Sequence, residues 1–480
     1  MRIGQTTAIV FLSKIATSVL GFIATIYFAR VLGAEVLGYY AAILAVASWL
    51  KLPANIGVSK SVTKRVSEGK ERSQFFTAGL IAVFTLGIIA SGGAWIFRDQ
   101  LNAYVGTEAA LFIIVIVLTY LYLSIVKSTL SGERLVHLSE ILNTTKVGLR
   151  STLQITLVFA GFGLVGMIAG YITAAFVVAA IGTILISSSL AQPKYRHFRS
   201  LFDFAKYAWL GSMRSKSFNN VDVIVLTAMV NPALVGIYSV AWGIANLLNT
   251  FGAAIRRTVF PEISKANEEA DELFISHVTN DAITYSGLIA IPGLFGGILV
   301  GERLLTLYGD EFREGALVLA LLILTVLIYE YYKQMVNVLN AVDRPDIAFR
   351  VNAVFVGGNA ILNVVFIYII GWVGAAVATV TAATIGLLLA YNAVTELIPL
   401  QIPFGELGRQ TSAAVTMSGA VIGLEHLLTN VATVTHNLFI LLVLVSTGAI
   451  VYFITLFGLS KQFREIVSTN LPFQIPIFTS

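Results

Sequence analysis

The chain has 480 residues, 57% of them hydrophobic and 12% charged, with a formal net charge of +5 and no cysteine. Soluble domains carry about 45–50% apolar and about 25% charged residues, so a string of soluble domains is excluded and the bilayer is the expected solvent. Without cysteine there are no disulfides or thiolate metal sites, and the five histidines (His137, His197, His277, His426 and His436) show no paired ligand spacing.

Basic residues are dispersed through short loops, so no nucleic-acid partner is expected. No cofactor is expected either. A helix needs about 20 mostly apolar residues to cross a bilayer, and Pro, Gly and charge clusters punctuate the spans. The first predicted span, 5–30, contains Lys14 and lacks a small-residue cleavage site, so it reads as a helix rather than a signal peptide. The next five are 36–56, 74–97, 109–130, 138–161 and 164–190. Then follow 204–230, 234–257, 275–300, 315–340, 347–370, 373–396, 409–428 and 436–458, making about fourteen transmembrane helices in an all-α polytopic membrane protein.

Alternate loops differ in charge. One set carries eighteen Lys and Arg residues, among them Lys60, Lys64, Arg65, Lys70, Arg72, Lys194, Arg196 and Arg199; the other carries Arg30, Arg98, Arg303 and Arg313. Positively charged loops stay cytoplasmic, which places both termini in the cytoplasm of a cell-membrane protein. The sequence also repeats itself. LGAEVLGYYAA (32–42) matches VNPALVGIYSV (230–240) at an offset of 198, with Gly38 opposite Gly236 and Tyr40 opposite Tyr238. GLVGMIAGYITAA (163–175) matches GWVGAAVATVTAA (371–383), and Gly106 aligns with Gly309. Such symmetry marks many transporters, and an even repeat of six helices gives halves of like orientation. Two pseudo-symmetric six-helix lobes are expected, 1–199 and 200–400, followed by two helices in 401–480.

Together FARVLGAEVLGYYAAI (28–43), the basic loop SVTKRVSEGK (61–70), VGIYSVAWGI (235–244), FPEIS (260–264), LYGDEF (307–312) and the six-six-two helix pattern resemble the polysaccharide transporter family. These are the oligosaccharide flippases of the multidrug, oligosaccharidyl-lipid and polysaccharide exporter superfamily. The resemblance covers nearly the whole chain. It implies lobes around a cavity that opens alternately to either side, and a substrate made of a polyprenyl (di)phosphate bearing an oligosaccharide. Its partners would be that lipid-linked oligosaccharide, membrane lipids and a coupling ion, Na⁺ or H⁺, with the protein a monomer.

Charges inside spans are costly and usually face an interior or a watery cavity. Lys14 lies about ten residues into its helix, roughly 15 Å deep at 1.5 Å per residue. Arg214 and Lys216 stand at similar depth, near the repeat equivalent of Lys14. Arg214 can grip a phosphate bidentately, whereas lysine acts as a point charge. Related lipid II flippases carry essential arginines on helices one, two and eight, which implies an anion clamp of Lys14, Lys51 and Arg256 or Arg257. Lysine at the first two positions departs from that pattern. Lys146 and Arg150, one turn apart, either extend the basic surface or sit near the headgroups, the latter being the favoured expectation. Glu330 and Lys333 are spaced for a local pair, and Asp222 and Glu330 are candidates for ion coupling.

A multidrug exporter would share this architecture, but organic cations suit acidic or neutral cavities better than cationic ones. A membrane glycosyltransferase or glycan polymerase would need carboxylate or metal chemistry and a large outer loop; the longest predicted outer connection is only about 15 residues. A scaffold would not need buried cations. No phosphate-binding loop or nucleophile constellation is present, so a transporter and not an enzyme is expected.

Overall fold

A computed structural model describes the backbone of residues 3–55, 57–208, 210–431 and 436–470. Side chains of 3–18, 206–208, 210–217, 219, 250, 431, 466, 469 and 470 lie outside the description. The described elements are all helical. In hydrocarbon, each backbone N–H and C=O must find an internal partner. That requirement overrides local propensity: the segment ALFIIVIVLTYLYL, rich in β-branched residues that favour strands, is helical throughout.

The chain divides into two compact units, Met1–Ser239 and Val240–Ser480. The first contains α1 (Ile3–Asn55), α2 (Val58–Ser67), α3 (Arg72–Ile96), α4 (Arg98–Val105), α5 (Ala110–Gly132), α6 (Val136–Phe159), α7 (Gly163–Leu185), α8 (Tyr195–Ala208), α9 (Leu210–Met229) and the start of α10 (Pro232–Asn246). The second holds α11 (Asn249–Glu268), α12 (Glu272–Thr306), α13 (Ala316–Ala341), α14 (Pro345–Ile370), α15 (Val373–Thr395), α16 (Phe404–His426), α17 (Asn437–Leu459) and α18 (Lys461–Asn470). The division falls within α10. The physical reason is that α8 packs on α2 and α3, and α9 packs along α1.

Among the described residues, nine helices are long and apolar enough to cross a membrane, ten if α10 and α11 form one broken span. Large apolar side chains such as Ile88, Ile96, Phe159 and Ile184 are strongly exposed, which water would penalise and acyl chains accept. In the first unit α5 is central, packing against α1, α2, α3 and α7 around Ile113, Ile116, Val117 and Ile125. In the second, α13 packs against α11, α12 and α15, while α16 and α17 pair and both rest on α12.

The internal repeat has a structural counterpart within the first unit. Helix α1 breaks at Gly33, whose φ of 79° is open to glycine at little cost. The repeat-equivalent position is Asn231, in the break between α9 and α10, where its side-chain oxygen accepts the Leu234 N–H at 3.0 Å. Beyond the breaks, Gly38 and Gly236 meet. A Cβ on Gly38 would strike the Pro232 carbonyl, and a Cβ on Gly236 would strike the Ala34 carbonyl. Ala34 and Pro232 are themselves equivalent at offset 198, so the contact is reciprocal, as in an isologous interface. Two repeat-related segments therefore cross at their shared glycines, the close approach that small residues permit between membrane helices.

Candidate functional site

The first unit contains a cavity of about 590 Å³ between α1, α2, α5 and α6. Its polar side chains recur at helical spacing. On α5, Tyr120, Ser124, Lys127, Ser128 and Ser131 form one stripe; on α1, Ser48, Lys51 and Asn55 form another, continued by Ser59, Lys60 and Thr63 on α2. Spacings of three and four place residues on one helix face, so two otherwise apolar helices turn polar stripes towards each other. Asn55 ties the stripes together: its Nδ2 donates to Ser59 Oγ at 2.8 Å, and Ser59 Oγ lies 2.7 Å from Ser124 Oγ. Thr63 Oγ1 donates to the Ser128 carbonyl at 3.0 Å.

Four lysines line this cavity, Lys51, Lys60, Lys127 and Lys146, together with one acid, Glu140. Lys51 Nζ lies 4.5 Å and Lys146 Nζ 5.5 Å from the Tyr120 ring centroid. Tyr120 stacks on Tyr171 with centroids 4.9 Å apart and planes at 19°, and the Arg150 guanidinium lies 5.8 Å from the Tyr171 centroid. Lys127 Nζ donates to Asn143 Oδ1 at 3.4 Å. A ring face lowers the cost of holding a cation away from water by about 0.5–2 kcal/mol. Unlike a carboxylate, it leaves the positive charge in place. Hydroxyls, an aromatic face and ammonium groups together suit a ligand that is part sugar and part oxyanion.

Sequence reasoning assigned Lys51 to a binding role, and the structure places it in this cavity. It did not single out Lys60, Lys127 or Tyr120 for the site, and Lys146, weighed as an extension of the basic surface or a residue near the headgroups, lines the cavity because α6 packs beside α1 and α5. Lys14, Arg214 and Lys216 lie outside the residues whose side chains are described. Arg257 is exposed on α11.

Arg256 has a different setting, in the second unit. Its Nη1 donates to Glu330 Oε2, while Lys333 Nζ donates to Glu330 Oε1 at 2.5 Å and also to Asn249 Oδ1. The local Glu330–Lys333 pair is thus present, joined by an arginine 74 positions away. A carboxylate already gripped by two cations is a poor seat for a third, so Glu330 is unsuited to holding a coupling Na⁺. Asp222 is buried and accepts the Tyr238 hydroxyl within the first unit.

The comparisons agree with this architecture. The profile of the polysaccharide biosynthesis protein family matches residues 3–267, and that of the lipid II flippase MurJ family matches 142–444. A probable flippase of Haloferax volcanii, AglR, is 30% identical over 478 residues, covering 98% of each chain. A second protein of that organism, the probable low-salt glycan biosynthesis flippase Agl15, is 26% identical, covering 99% of this chain and 100% of its own. Among solved structures, the lipid II flippase MurJ in an inward closed conformation superposes with a TM-score of 0.80 at 16% identity, over 96% of this chain and all of that one. A multidrug resistance transporter of the MATE family, inward-facing, gives 0.63 over 79% of this chain and 94% of its own.

The full-length flippase relatives and the described helices mark a multi-pass, helical membrane protein of the transporter class. More particularly, the chain belongs to the polysaccharide biosynthesis protein family, whose members resembling it over the full length include probable flippases.

Proposed function

We propose that the protein is a flippase for a polyprenyl-(di)phosphate-linked oligosaccharide, whose anionic headgroup is held in a cationic cavity while the lipid tail stays in the bilayer. The observation that carries this reading is the cavity of the first unit, where four lysines share a wall with hydroxyls and a stacked tyrosine pair. A phosphate-bearing sugar cannot cross hydrocarbon unaided, because each uncompensated polar group costs several kcal/mol and a charge far more. Ammonium groups supply counter-charge for the phosphate, and Ser and Thr hydroxyls replace the water lost by the sugar.

Fourteen crossings follow if α1 crosses twice, turning at Gly33, if α10 and α11 together make one broken crossing, and if α6, α9 and α16 also span the bilayer. With two six-helix lobes plus two terminal helices, both termini then lie on the cytoplasmic side of the cell membrane. Lys14, Lys51, Arg214, Lys216, Arg256 and Arg257 are the cations we assign to contact with the anionic headgroup during transport. We assign ion coupling, by Na⁺ or H⁺, to Asp222 in preference to Glu330. The protein works as a monomer by alternating access.

An organic-cation exporter is disfavoured by charge, since four lysines against one glutamate repel a cation. The test is transport by purified protein in proteoliposomes, offering a fluorescent lipid-linked oligosaccharide or ethidium. Movement of the lipid alone is expected; movement of ethidium without the lipid would overturn the reading.

A further inference from the structure

The cluster of Arg256, Glu330 and Lys333 binds two cations to one carboxylate, each oxygen taking one of them. The group therefore keeps a formal charge of +1 among packed helices, where uncompensated charge is costly. Its members are not equivalent. Lys333 sits one turn from Glu330 on α13, touches Asn249 as well, and lies 4.7 Å from the Tyr329 ring centroid. Arg256 reaches Glu330 from another helix through Nη1, and is the most exposed of the three, its side chain 15% accessible against 10% for Lys333 and 1% for Glu330. A guanidinium offers five N–H donors in a fork that matches phosphate.

Glycine 252 adds an independent observation. It lies on α11 one turn before Arg256, and a Cβ there would overlap the Glu330 carboxylate. The carboxylate is thus packed against bare backbone on the arginine's own helix, a position it can hold only while residue 252 has no side chain.

We propose that Glu330 is a resident counter-anion of Arg256. A phosphate oxyanion displaces it from the guanidinium, and Lys333, itself anchored on Asn249, retains the released carboxylate. The exchange keeps Arg256 paired whether or not substrate is bound, and it makes phosphate affinity depend on a competitor built into the protein. No proton or covalent bond moves. This inference rests on the reading of the transported headgroup as a phosphate.

The test uses full-length protein in detergent micelles, titrated calorimetrically with farnesyl phosphate and with farnesol. Wild type is expected to prefer the phosphate. The double variant Glu330→Gln/Lys333→Gln conserves the net charge of the cluster but removes the competitor, and should bind farnesyl phosphate about tenfold more tightly, a change of about 1.4 kcal/mol. Gly252→Ala should shift affinity the same way with every charge intact, and so serves where the double variant does not fold. Adding Arg256→Gln to the double variant should cancel the gain. Unchanged or weaker binding in the folded variants, or a gain that persists without Arg256, overturns the inference while leaving the flippase reading standing. Equal binding of farnesol and farnesyl phosphate by wild type overturns both.

Discussion

The two units handle buried positive charge in opposite ways. In the first, Lys51 and Lys146 lie against the face of Tyr120 and line an open cavity. In the second, Arg256 and Lys333 close onto Glu330, which is 1% exposed. An aromatic face lowers the cost of a cation without cancelling its field, and four lysines to one glutamate leave the lining of the first formally positive. A carboxylate shared by two cations occupies a donor face of each, so an incoming anion at the second must compete with a resident one. Similar cations thus give a receptive site in one place and a self-occupied one in the other.

The largest effect that would separate the two regions is on folding. Glu330→Ala leaves two buried cations facing each other, and an unpaired buried charge costs about 3–5 kcal/mol. A clear drop in melting temperature in detergent is expected for it, while Lys146→Ala should melt like wild type. Equal melting of both variants would erase the contrast. Next comes transport. Lys51→Ala with Lys146→Ala removes two charge-assisted contacts worth about 1.5–3 kcal/mol each, so flipping in proteoliposomes should fall by about 100-fold or more at unchanged stability. Full flipping would show that the cavity is not the headgroup site.

A smaller effect should follow at the ring. Tyr120→Leu keeps apolar bulk but loses the π face, at about 0.5–2 kcal/mol, and should slow flipping severalfold; Tyr120→Phe should retain it. If leucine and phenylalanine behave alike, the ring is packing and nothing more.

The smallest expected effect lies outside both regions, where water screens an ion pair. Glu71, preceding α3, faces Arg196 and His197 of α8. His197 Nδ1 accepts the Lys194 N–H at 2.8 Å, so Nε2 carries the proton and donates to Glu71 at 3.1 Å. That bond, with Arg196 nearby, holds the Glu71 carboxyl below its ordinary 4.5. A lowered carboxyl pKa adds stability that is complete above the ordinary value and is lost as pH falls through the lowered one. Glu71→Ala should therefore melt slightly below wild type at pH 7 and match it in the most acidic buffers. A difference that grows on acidification would contradict the pairing.

Much of this was legible in the residues. Hydropathy gave the helices, and the repeat located Gly38 and Gly236, although not that they touch. Lys51 and Lys146 were visible as cations inside spans. Their convergence was not, because depth along a helix says nothing about which neighbour it faces. The stronger signal was the polar stripe Tyr120, Ser124, Lys127, Ser128 and Ser131, whose spacing marks one face of an otherwise apolar helix. Arg256 looked like a partner for substrate alone because its acid stands 74 positions away, a distance that only tertiary packing closes.

The most direct test is photocrosslinking to radiolabelled lipid-linked oligosaccharide, with a benzophenone amino acid placed at Tyr120 in the cavity wall or at Ile88, which is 63% exposed. A phosphate-dependent adduct at position 120, lost with Lys51→Ala/Lys146→Ala, is the expected result. Adducts at position 88 with none at 120 would contradict a headgroup site in the lysine cavity.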